Sequence, residues 1–251
     1  MFAEERRTEI IGLTKEGKSV TVNDLCDKFD VSASTIRRDL QLLEKEGLLE
    51  RTHGGAVAKG GAKFEPSFIE KETENIESKL AIGQQAAELI SDGDTIIIDA
   101  GTTTTKLIDH LDNYLNLTII TNAVNVAVKL AKSSHEIILT GGNLKKKTLA
   151  MVGPCAEINL KRFNVDKVFL GTNSIDLEQG ITTPDLVEAN VKSLMVEVAQ
   201  EVIVLADHTK FKEVAFINVV GLAEVDKIIT DQKLEKEILK EYKQQVEIIV
   251  S

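Results

Sequence analysis

The hydrophobic pattern changes along the chain. Near the N-terminus, apolar residues recur at the spacing of amphipathic helices, as in the stripe formed by Ile36, Leu40 and Leu43. Further on, short apolar runs alternate with helical segments: TIIID (95–99), LTIIT (117–121), EIILT (136–140), KVFLG (167–171), EVIVLA (201–206), KIIT (227–230) and VEIIV (246–250). Strands that are apolar on both faces are typical of a mostly parallel sheet covered by helices. The pattern predicts a small helical domain followed by a larger α/β domain.

The first 58 residues predict three helices and a β-hairpin. The first helix covers residues 3–15, and the second begins after Thr21, a good N-cap. Ser32 is the expected N-cap of the third helix, which carries the apolar stripe described above. The stretch LLERTHGGAVA alternates and then breaks at a Gly–Gly pair, as a hairpin turn does. Together these elements predict a winged helix-turn-helix.

The exposed face of the third helix has the chemistry of a DNA-reading surface. With the apolar stripe turned inward, the outward residues include Ser34, Thr35, Arg37, Arg38 and Gln41. Hydroxyls and backbone N–H groups bind phosphate oxygens, and arginine reads a guanine edge through two hydrogen bonds. On the hairpin, Arg51 and His53 are placed to approach a neighbouring phosphate or the minor groove.

The charge distribution is compatible with that interpretation. The formal net charge is −10, of which residues 1–60 carry only −1, with ten basic and eleven acidic residues. Because surface fields are screened within about 8–10 Å, an acidic protein can bind DNA through a locally basic face. The alternative is a solvated helix on which Arg37 and Arg38 pair with Asp30 or Gln41.

Composition argues against several other classes of protein. No apolar run approaches the ~20 residues that span a bilayer, and the N-terminal MFAEERRTEI is charged, so we expect a cytoplasmic protein without a membrane partner. The two cysteines lie far apart, without CxxC spacing, and the four histidines lack ligand spacing. Neither a disulfide framework nor a metal site is therefore predicted.

The stretch IIIDAGTTTTKLIDHL (96–111) predicts a phosphate site. It places a strand, a glycine and four threonines directly before a helix. Backbone N–H groups at a helix N-terminus, the helix dipole and several hydroxyl donors all favour a phosphate. A threonine-rich N-cap turn is the alternative, but it explains one threonine better than four.

Polar residues follow several other predicted strands. Asn122 and Asn173 come after strand ends, and Asp207 ends a strand three residues before Lys210. Singly, each is compatible with an ordinary turn or a surface ion pair. Because the carboxyl ends of parallel strands meet at one edge of a sheet, a shared ligand crevice explains them together.

The sequence resembles a known family over almost its whole length. VSASTIRRDLQLLEKEGLLERTHGGA (31–56) is similar to the N-terminal signature of DeoR-family bacterial transcriptional regulators. The resemblance implies contact with double-stranded operator DNA through the recognition helix and the wing. The expected DNA-binding residues are Ser32, Ser34, Thr35, Arg37, Arg38, Arg51, His53 and Gly54.

The second part resembles the effector domain of that family, whose fold is similar to ribose-5-phosphate isomerase and glucosamine-6-phosphate deaminase. The matching blocks are residues 99–104, 121–122, 141–142, 188–192 and 207–211. The resemblance implies an effector site lined by Asp99, Gly101, Thr102, Thr103, Thr104, Asn122, Gly142, Thr172, Asn173, Glu188, Lys192, Asp207 and Lys210. It divides the chain into a DNA-binding domain (1–58), a linker (59–73) and an effector domain (74–251).

The functional expectation is a repressor of a sugar-catabolism operon that a phosphorylated sugar releases from DNA. The effector domain looks most similar to those of fructose-operon and related phosphotransferase-system repressors, which favours fructose-1-phosphate as the effector. We expect a homo-oligomer, either a dimer or a tetramer, with no cofactor and no catalytic residues. One alternative is a sugar-phosphate isomerase or deaminase with an appended DNA-binding head, in which Asp207, Glu188 and Lys210 supply the acid and base. Another is an activator, since sequence does not set the sign of regulation.

Overall fold

The computed structural model of the chain describes residues 3–15, 20–45, 48–52, 54–58 and 65–251. The chain divides into two compact units, Met1–Glu65 and Pro66–Ser251. No helix within the described residues is both long enough and apolar enough to cross a bilayer.

The first unit contains the predicted three helices and hairpin. Its elements are α1 (Ala3–Lys15), β1 (Val20–Thr21), α2 (Val22–Phe29), α3 (Ala33–Lys45), β2 (Leu49–Thr52) and β3 (Gly55–Ala58). The predicted cap of α2 is confirmed, because the Thr21 hydroxyl accepts a hydrogen bond from the Asp24 N–H at 3.1 Å. Ile36, Leu40 and Leu43 are buried, which confirms the inward stripe of α3.

A short third strand ties the hairpin to the helices. Strand β1 pairs with β3 in the antiparallel order β1-β3-β2, and the Val22 N–H donates to the Gly54 carbonyl at 2.8 Å. A Cβ at Gly55 would lie 1.8 Å from the Val20 oxygen, so only glycine allows this approach. The sequence did not predict β1, since two residues carry no readable pattern.

A buried ion pair joins the first and third helices. The Arg6 Nε donates to the Asp39 carboxylate at 2.7 Å, and both residues are less than 10% exposed. Two buried charges are tolerated because they neutralise each other; either alone in this core would be strongly destabilising.

Residues 68–73, which the sequence analysis assigned to a linker, form a helix instead. Helix α4 (Phe68–Thr73) begins at a capping box: the Ser67 hydroxyl accepts from the Glu70 N–H at 3.3 Å, and the Glu70 carboxylate accepts from the Ser67 N–H at 2.7 Å. Phe68 is buried. These two features order a segment whose composition alone is typical of a linker. Residues 59–64 of the expected linker lie outside the described part of the chain.

The rest of the second unit alternates helices and strands. Its helices are α5 (Ile76–Ala87), α6 (Thr104–Leu107), α7 (Val124–Leu130), α8 (Pro154–Leu160), α9 (Leu186–Glu197) and α10 (Lys236–Tyr242). Its strands are β4 (Thr95–Ile98), β5 (Thr118–Thr121), β6 (Glu136–Leu139), β7 (Asn143–Lys145), β8 (Ala150–Val152), β9 (Val165–Gly171), β10 (Ser174–Asp176), β11 (Gly180–Thr183), β12 (Ala199–Leu205), β13 (Ile217–Val220), β14 (Lys227–Thr230) and β15 (Glu247–Val250).

All seven predicted strands belong to one parallel sheet. Its order is β15-β14-β12-β9-β4-β5-β6, and every neighbouring pair is parallel. Successive side chains enter opposite cores: Ile97 packs on one face, whereas Ile96 and Ile98 pack on the other, and all three are fully buried. This explains the continuous apolar runs, since each buried isoleucine contributes roughly 1.5–3 kcal/mol.

The strand order identifies where a ligand crevice forms. From β4 the chain steps outward to β5 and β6, then returns to place β9 on the other side of β4. The connections after β4 and β9 therefore diverge, which opens a crevice at the carboxyl ends of these two strands.

Two smaller sheets flank the main one and were not predicted. Strands β10, β11 and β13 form an antiparallel sheet in that neighbour order. Strands β7 and β8 form a hairpin that covers the end of β5, where the Met151 N–H donates to the Asn122 carbonyl at 2.6 Å. The hairpin brings the basic segment 145–147 to the carboxyl edge of the main sheet.

Candidate functional site

The N-terminal turn of α3 is built from hydroxyl residues. The Thr35 N–H donates to the Ser32 hydroxyl at 3.3 Å, which confirms Ser32 as the N-cap. The Ser32 hydroxyl also lies 2.8 Å from the Ser34 hydroxyl and 3.0 Å from the Thr35 hydroxyl. The helix therefore presents three clustered hydroxyls at the end where backbone N–H groups are free to meet a phosphate.

Arg37 and Arg38 are both exposed on α3, and they face different clefts. Arg37 lines a cleft of about 180 Å³ with Asn23 and Arg51, whereas Arg38 lines one of about 580 Å³ with Arg7. Neither guanidinium has a hydrogen bond or an ion pair with another described residue. The side-chain pairs with Asp30 or Gln41 are therefore not formed, and both arginines extend into solvent.

The wing is the β2–β3 hairpin, and its Arg51 binds Glu44 at the end of α3. The Arg51 N–H donates to the Glu44 carboxylate at 3.3 Å, and the guanidinium lies 3.5 Å from the same carboxylate. This pair orients the half-exposed Arg51 side chain beside Arg37. Gly54 is exposed at the turn, and His53 lies outside the described residues.

In the second unit, Asp99 and Lys192 form a buried ion pair at the crevice between β4 and β9. The Lys192 ammonium contacts the Asp99 Oδ2 atom and donates to the Gly171 carbonyl at 2.8 Å, while the Gly171 N–H donates to Asp99 Oδ2 at 3.0 Å. Burial raises the pKa of Asp99 above 3.8, and the Lys192 charge opposes that rise. The Asp99 Oδ1 atom has no partner among the described residues. A buried unpaired oxygen indicates a missing donor.

The loop after β4 carries several free hydrogen-bond donors. The hydroxyls of Thr104 and Thr105 donate to the Gly101 carbonyl at 3.0 and 2.6 Å, so they maintain the turn. Within the described chain, by contrast, the hydroxyls of Thr102 and Thr103 have no partner, and the N–H groups of residues 101–103 donate to no protein oxygen. The four threonines thus divide into two structural and two available side chains.

Asn122 is tied to the same crevice. Its side-chain Oδ1 accepts from the Ala100 N–H at 2.9 Å, which fixes the turn after β4. Thr172 and Asn173 follow β9: the Thr172 hydroxyl donates to the Ser174 carbonyl at 2.9 Å, and the Asn173 Oδ1 accepts from Thr183 at 3.0 Å.

Gly142 lies at the far end of this edge, beyond β6. It has a φ of +110°, and a Cβ there would lie 2.6 Å from the Val152 oxygen. The glycine is therefore needed for the close approach of the β7–β8 hairpin.

Glu188 bonds to the hairpin rather than to Lys192. It accepts from the Thr148 hydroxyl at 2.5 Å, and its other oxygen lies 3.3 Å from the Lys145 ammonium. Lys145 also pairs with Asp185 at 3.1 Å. Lys145 and Thr148 were not among the predicted site residues; the available signal was the run of lysines at 145–147, shortly after Gly141 and Gly142.

Asp207 and Lys210 lie at the end of β12, two strands away from β4 in the sheet. Asp207 is buried and accepts from the Thr209 N–H at 3.0 Å. Both residues are electrostatically coupled to Lys79 on α5, a buried lysine that the sequence analysis missed. A lysine within the apolar stripe that includes Ile82 was the available signal.

Lys79 is held in an environment that disfavours its charge. Burial lowers the pKa of Lys79 to about 8; Asp207 raises it, and Lys210 lowers it further. The ammonium also donates to the Lys71 carbonyl at the end of α4. A buried ammonium next to another cation attracts anions strongly.

No cluster of three metal-ligating side chains occurs among the described residues. The site thus has two parts: donors around residues 99–104 with Asn122, Gly171 and Lys192, and cations around Lys79 and Lys210. A helix-turn-helix in which Arg37 and Arg38 have no side-chain partner among the described residues, followed by a parallel-sheet domain with polar strand ends, is the architecture of a DNA-binding regulator with a sensor domain.

Comparison with known families supports that class. Residues 6–60 match the DeoR-like helix-turn-helix domain, and residues 74–232 match the DeoR C terminal sensor domain. The chain belongs to the DeoR family of transcriptional regulators. It is similar to the HTH-type transcriptional regulator GlpR of Haloferax volcanii, with 40% identity over 94% of this chain and 92% of the relative.

Two further relatives cover similar lengths. The uncharacterized HTH-type transcriptional regulator FruR of Bacillus subtilis is 38% identical over 92% of both chains. A putative aga operon transcriptional repressor of Escherichia coli O157:H7 is 36% identical over 91% of this chain and 86% of the relative. Among solved structures, ribose 5-phosphate isomerase A from Methanocaldococcus jannaschii matches 55% of both chains with a TM-score of 0.42 and 18% identity.

Proposed function

We propose that the protein represses a sugar-catabolism operon and leaves its operator when a phosphorylated sugar, with fructose-1-phosphate favoured, binds to the sensor domain. The names of two relatives, FruR and a repressor of the aga operon, support a role in sugar regulation. The observation that carries the proposal is the set of free donors on residues 101–103, next to the crevice between β4 and β9.

The phosphate of the effector binds the loop after β4. Three N–H groups and two hydroxyls there have no partner among the residues that the structure describes, and a phosphate dianion accepts many such bonds at once. Lys79 and Lys210 supply positive charge from the β12 side of the crevice. The unpaired Asp99 Oδ1 accepts a hydrogen bond from a sugar hydroxyl, which removes the cost of leaving it unsatisfied.

The DNA-binding surface is the exposed side of α3 with the wing. Arg38 reads a base edge in the major groove, and Arg37 and Arg51, which share a cleft, hold a backbone phosphate. The hydroxyls of Ser32, Ser34 and Thr35 bind phosphate at the helix N-terminus. A single helix-turn-helix reads one half-site, so a dimer or a tetramer is needed to cover a two-fold operator.

The DNA part is tested with alanine variants in an operator-binding titration. Arg38→Ala should lose about 1–3 kcal/mol of operator-binding free energy and discriminate less between bases at the contacted position. Arg37→Ala should weaken binding to all DNA sequences alike and reduce the slope of log affinity against log salt concentration by about one. Lys28→Ala is the matched control, because Lys28 is exposed on α2 and pairs with Glu9 at 3.6 Å. Operator affinity that is unchanged in both arginine variants would place the reading face elsewhere.

The effector part is tested by calorimetry with fructose 1-phosphate, fructose and a panel of other sugar phosphates. Thr103→Ala should weaken binding of a phosphate ester without affecting stability, because the Thr103 hydroxyl has no partner in the described chain. Thr104→Ala is the contrast: its buried hydroxyl donates to the Asp99 carbonyl at 2.7 Å, so stability should fall by about 1–3 kcal/mol. Equal binding of fructose and its phosphate would refute the phosphate site.

The enzyme alternative requires an available general base. The two carboxylates of that alternative, Glu188 and Asp207, each accept hydrogen bonds from protein donors, which argues against that role. Incubation with ribose-5-phosphate, fructose phosphates and glucosamine-6-phosphate is the direct test. Turnover that disappears in Asp207→Asn or Glu188→Gln would establish the enzyme instead.

A further inference from the structure

Helix α4 is attached at both ends to groups of the sensor site. At its N-terminal end, the Phe68 N–H donates to the Lys147 carbonyl at 2.8 Å, within the β7–β8 hairpin that Glu188 holds through Thr148. At its C-terminal end, the Lys71 carbonyl accepts from the Lys79 ammonium. Few helices of six residues are stable alone, so these two attachments help to keep α4 in place, together with the Ser67 capping box and the burial of Phe68.

Lys79 connects this attachment to the cationic part of the crevice. Helix α5 packs closely on α6, since Gly83 has no side chain; a Cβ there would lie only 2.7 Å from Lys106. One turn earlier in α5, Lys79 lies level with the start of α6, at the carboxyl edge of the sheet. Its charge is coupled to Asp207 and Lys210 at the end of β12. The same ammonium therefore holds the end of α4 while its charge is coupled to the residues at the end of β12.

We propose that α4 transmits the state of the sensor site to the DNA-binding unit, and that Lys79 is the switch, exchanging the Lys71 carbonyl for the phosphate of the bound ligand. This inference rests on the proposed function, since it needs an anionic ligand at that site. In the free protein, Lys79 donates to Lys71 and α4 is held. With ligand bound, the ammonium turns to the phosphate and the C-terminal end of α4 is released.

The position of α4 in the chain makes this release consequential. Strand β3 of the wing ends at Ala58, and α4 begins at Phe68, so α4 is the first helix of the second unit after the wing. A change in α4 alters the point from which the DNA-binding unit is tethered. Paired units then no longer match the spacing of two half-sites, and by linkage the ligand weakens DNA binding as much as DNA weakens ligand binding.

Hydrogen exchange of residues 66–75, measured on the full chain by mass spectrometry, tests the switch. Without ligand, Lys79→Met should exchange roughly tenfold faster there than the parent, because a hydrogen bond from a charged donor is lost. Gln85→Ala, which changes a partly exposed side chain of the same helix α5 that bonds to Glu88, should leave exchange unchanged. Saturating fructose 1-phosphate should accelerate exchange in the parent and have no further effect in Lys79→Met.

Ser67→Ala tests the same idea from the other end of α4, without altering the sensor site. Loss of the capping box should shift the chain toward the released state of α4, which weakens operator binding without ligand and tightens fructose 1-phosphate binding. The product of these two changes, about severalfold, equals the factor by which the equilibrium between the held and the released state shifts. Both affinities unchanged, or ligand binding with no change in exchange at residues 66–75, would overturn the switch alone. If neither fructose 1-phosphate nor another sugar phosphate in the panel binds, the proposed effector site fails and the switch fails with it.

Discussion

Replacing Lys192 by methionine tests what the buried ion pair at the crevice contributes. Methionine fills a similar volume but removes the charge, so the Asp99 carboxylate, which is only 1% exposed, keeps one hydrogen bond from Gly171 and no counter-charge. Breaking a buried pair on one side costs about 3–5 kcal/mol. The loss should appear in the stability of the sensor domain.

The carboxyl group can escape this cost by taking up a proton, and that makes the penalty depend on pH. Relative to an unfolded carboxyl with a pKa of 3.8, neutralising Asp99 costs about 5 kcal/mol at pH 7.5 but only about 2 kcal/mol at pH 5.5. In the variant, the folded-state pKa of Asp99 rises further, so stability is recovered as the pH falls. We therefore expect a destabilisation of about 3–5 kcal/mol at pH 7.5 that shrinks to about 2 kcal/mol at pH 5.5.

Urea unfolding of the parent and of Lys192→Met at the two pH values measures this difference. Lys192→Met combined with Asp99→Asn should recover part of the loss, because no buried charge remains. Lys129→Met provides the control, since its exposed pair with Asp109 should contribute at most about 1 kcal/mol at either pH. A penalty below about 1 kcal/mol, or one that is the same at pH 7.5 and 5.5, would refute the reasoning.

Two further predictions concern charge elsewhere in the chain. Because the pKa of Lys79 is lowered to about 8, its ammonium loses its proton between pH 7.5 and 9. Calorimetry should therefore find that the affinity for a phosphate ester falls by up to about eightfold over that range. Lys79→Met should abolish this pH dependence. A phosphate ester is already a dianion there, so a persistent pH dependence in the variant would implicate another group. Asp39→Ala should destabilise the first unit by about 3–5 kcal/mol, because Arg6 is left buried without its partner. In Asp39→Ala, operator binding should be lost at a urea concentration that leaves ligand binding intact. Loss of both activities at the same urea concentration would contradict this prediction.

The sheet and the recognition helix could be predicted because their signals are local. Each strand of the parallel sheet is a run of apolar residues buried on both faces, and α3 carries a stripe at helical spacing with Ser32 as its cap. The two small antiparallel sheets escaped prediction, since three- and four-residue strands of mixed polarity have no distinctive period. Helix α4 had a readable capping-box spacing, Ser67 and Glu70, within a stretch of linker-like composition.

The candidate site was predictable in its strand-end residues but not in its pairings. Lys192 pairs with Asp99, 93 residues away, and Glu188 bonds to Thr148, 40 residues away, although the sequence placed Glu188 and Lys192 on one helix face. Which partner each side chain finds depends on the order of strands, and no local pattern specifies that order. Lys79 was missed for the same reason: its partner is a carbonyl on another helix.

The short strand β1 has a consequence for how the first unit meets a surface. Because the Val22 N–H holds the Gly54 carbonyl and Gly55 pairs with Thr21, the hairpin cannot swing independently of α2. Arg51 on the hairpin and Arg37 on α3 therefore approach a target as one rigid fork. Much of the conformational entropy of the hairpin and α3 is therefore lost during folding rather than on binding. Any side chain larger than hydrogen at position 55 would separate the hairpin from β1 and weaken binding.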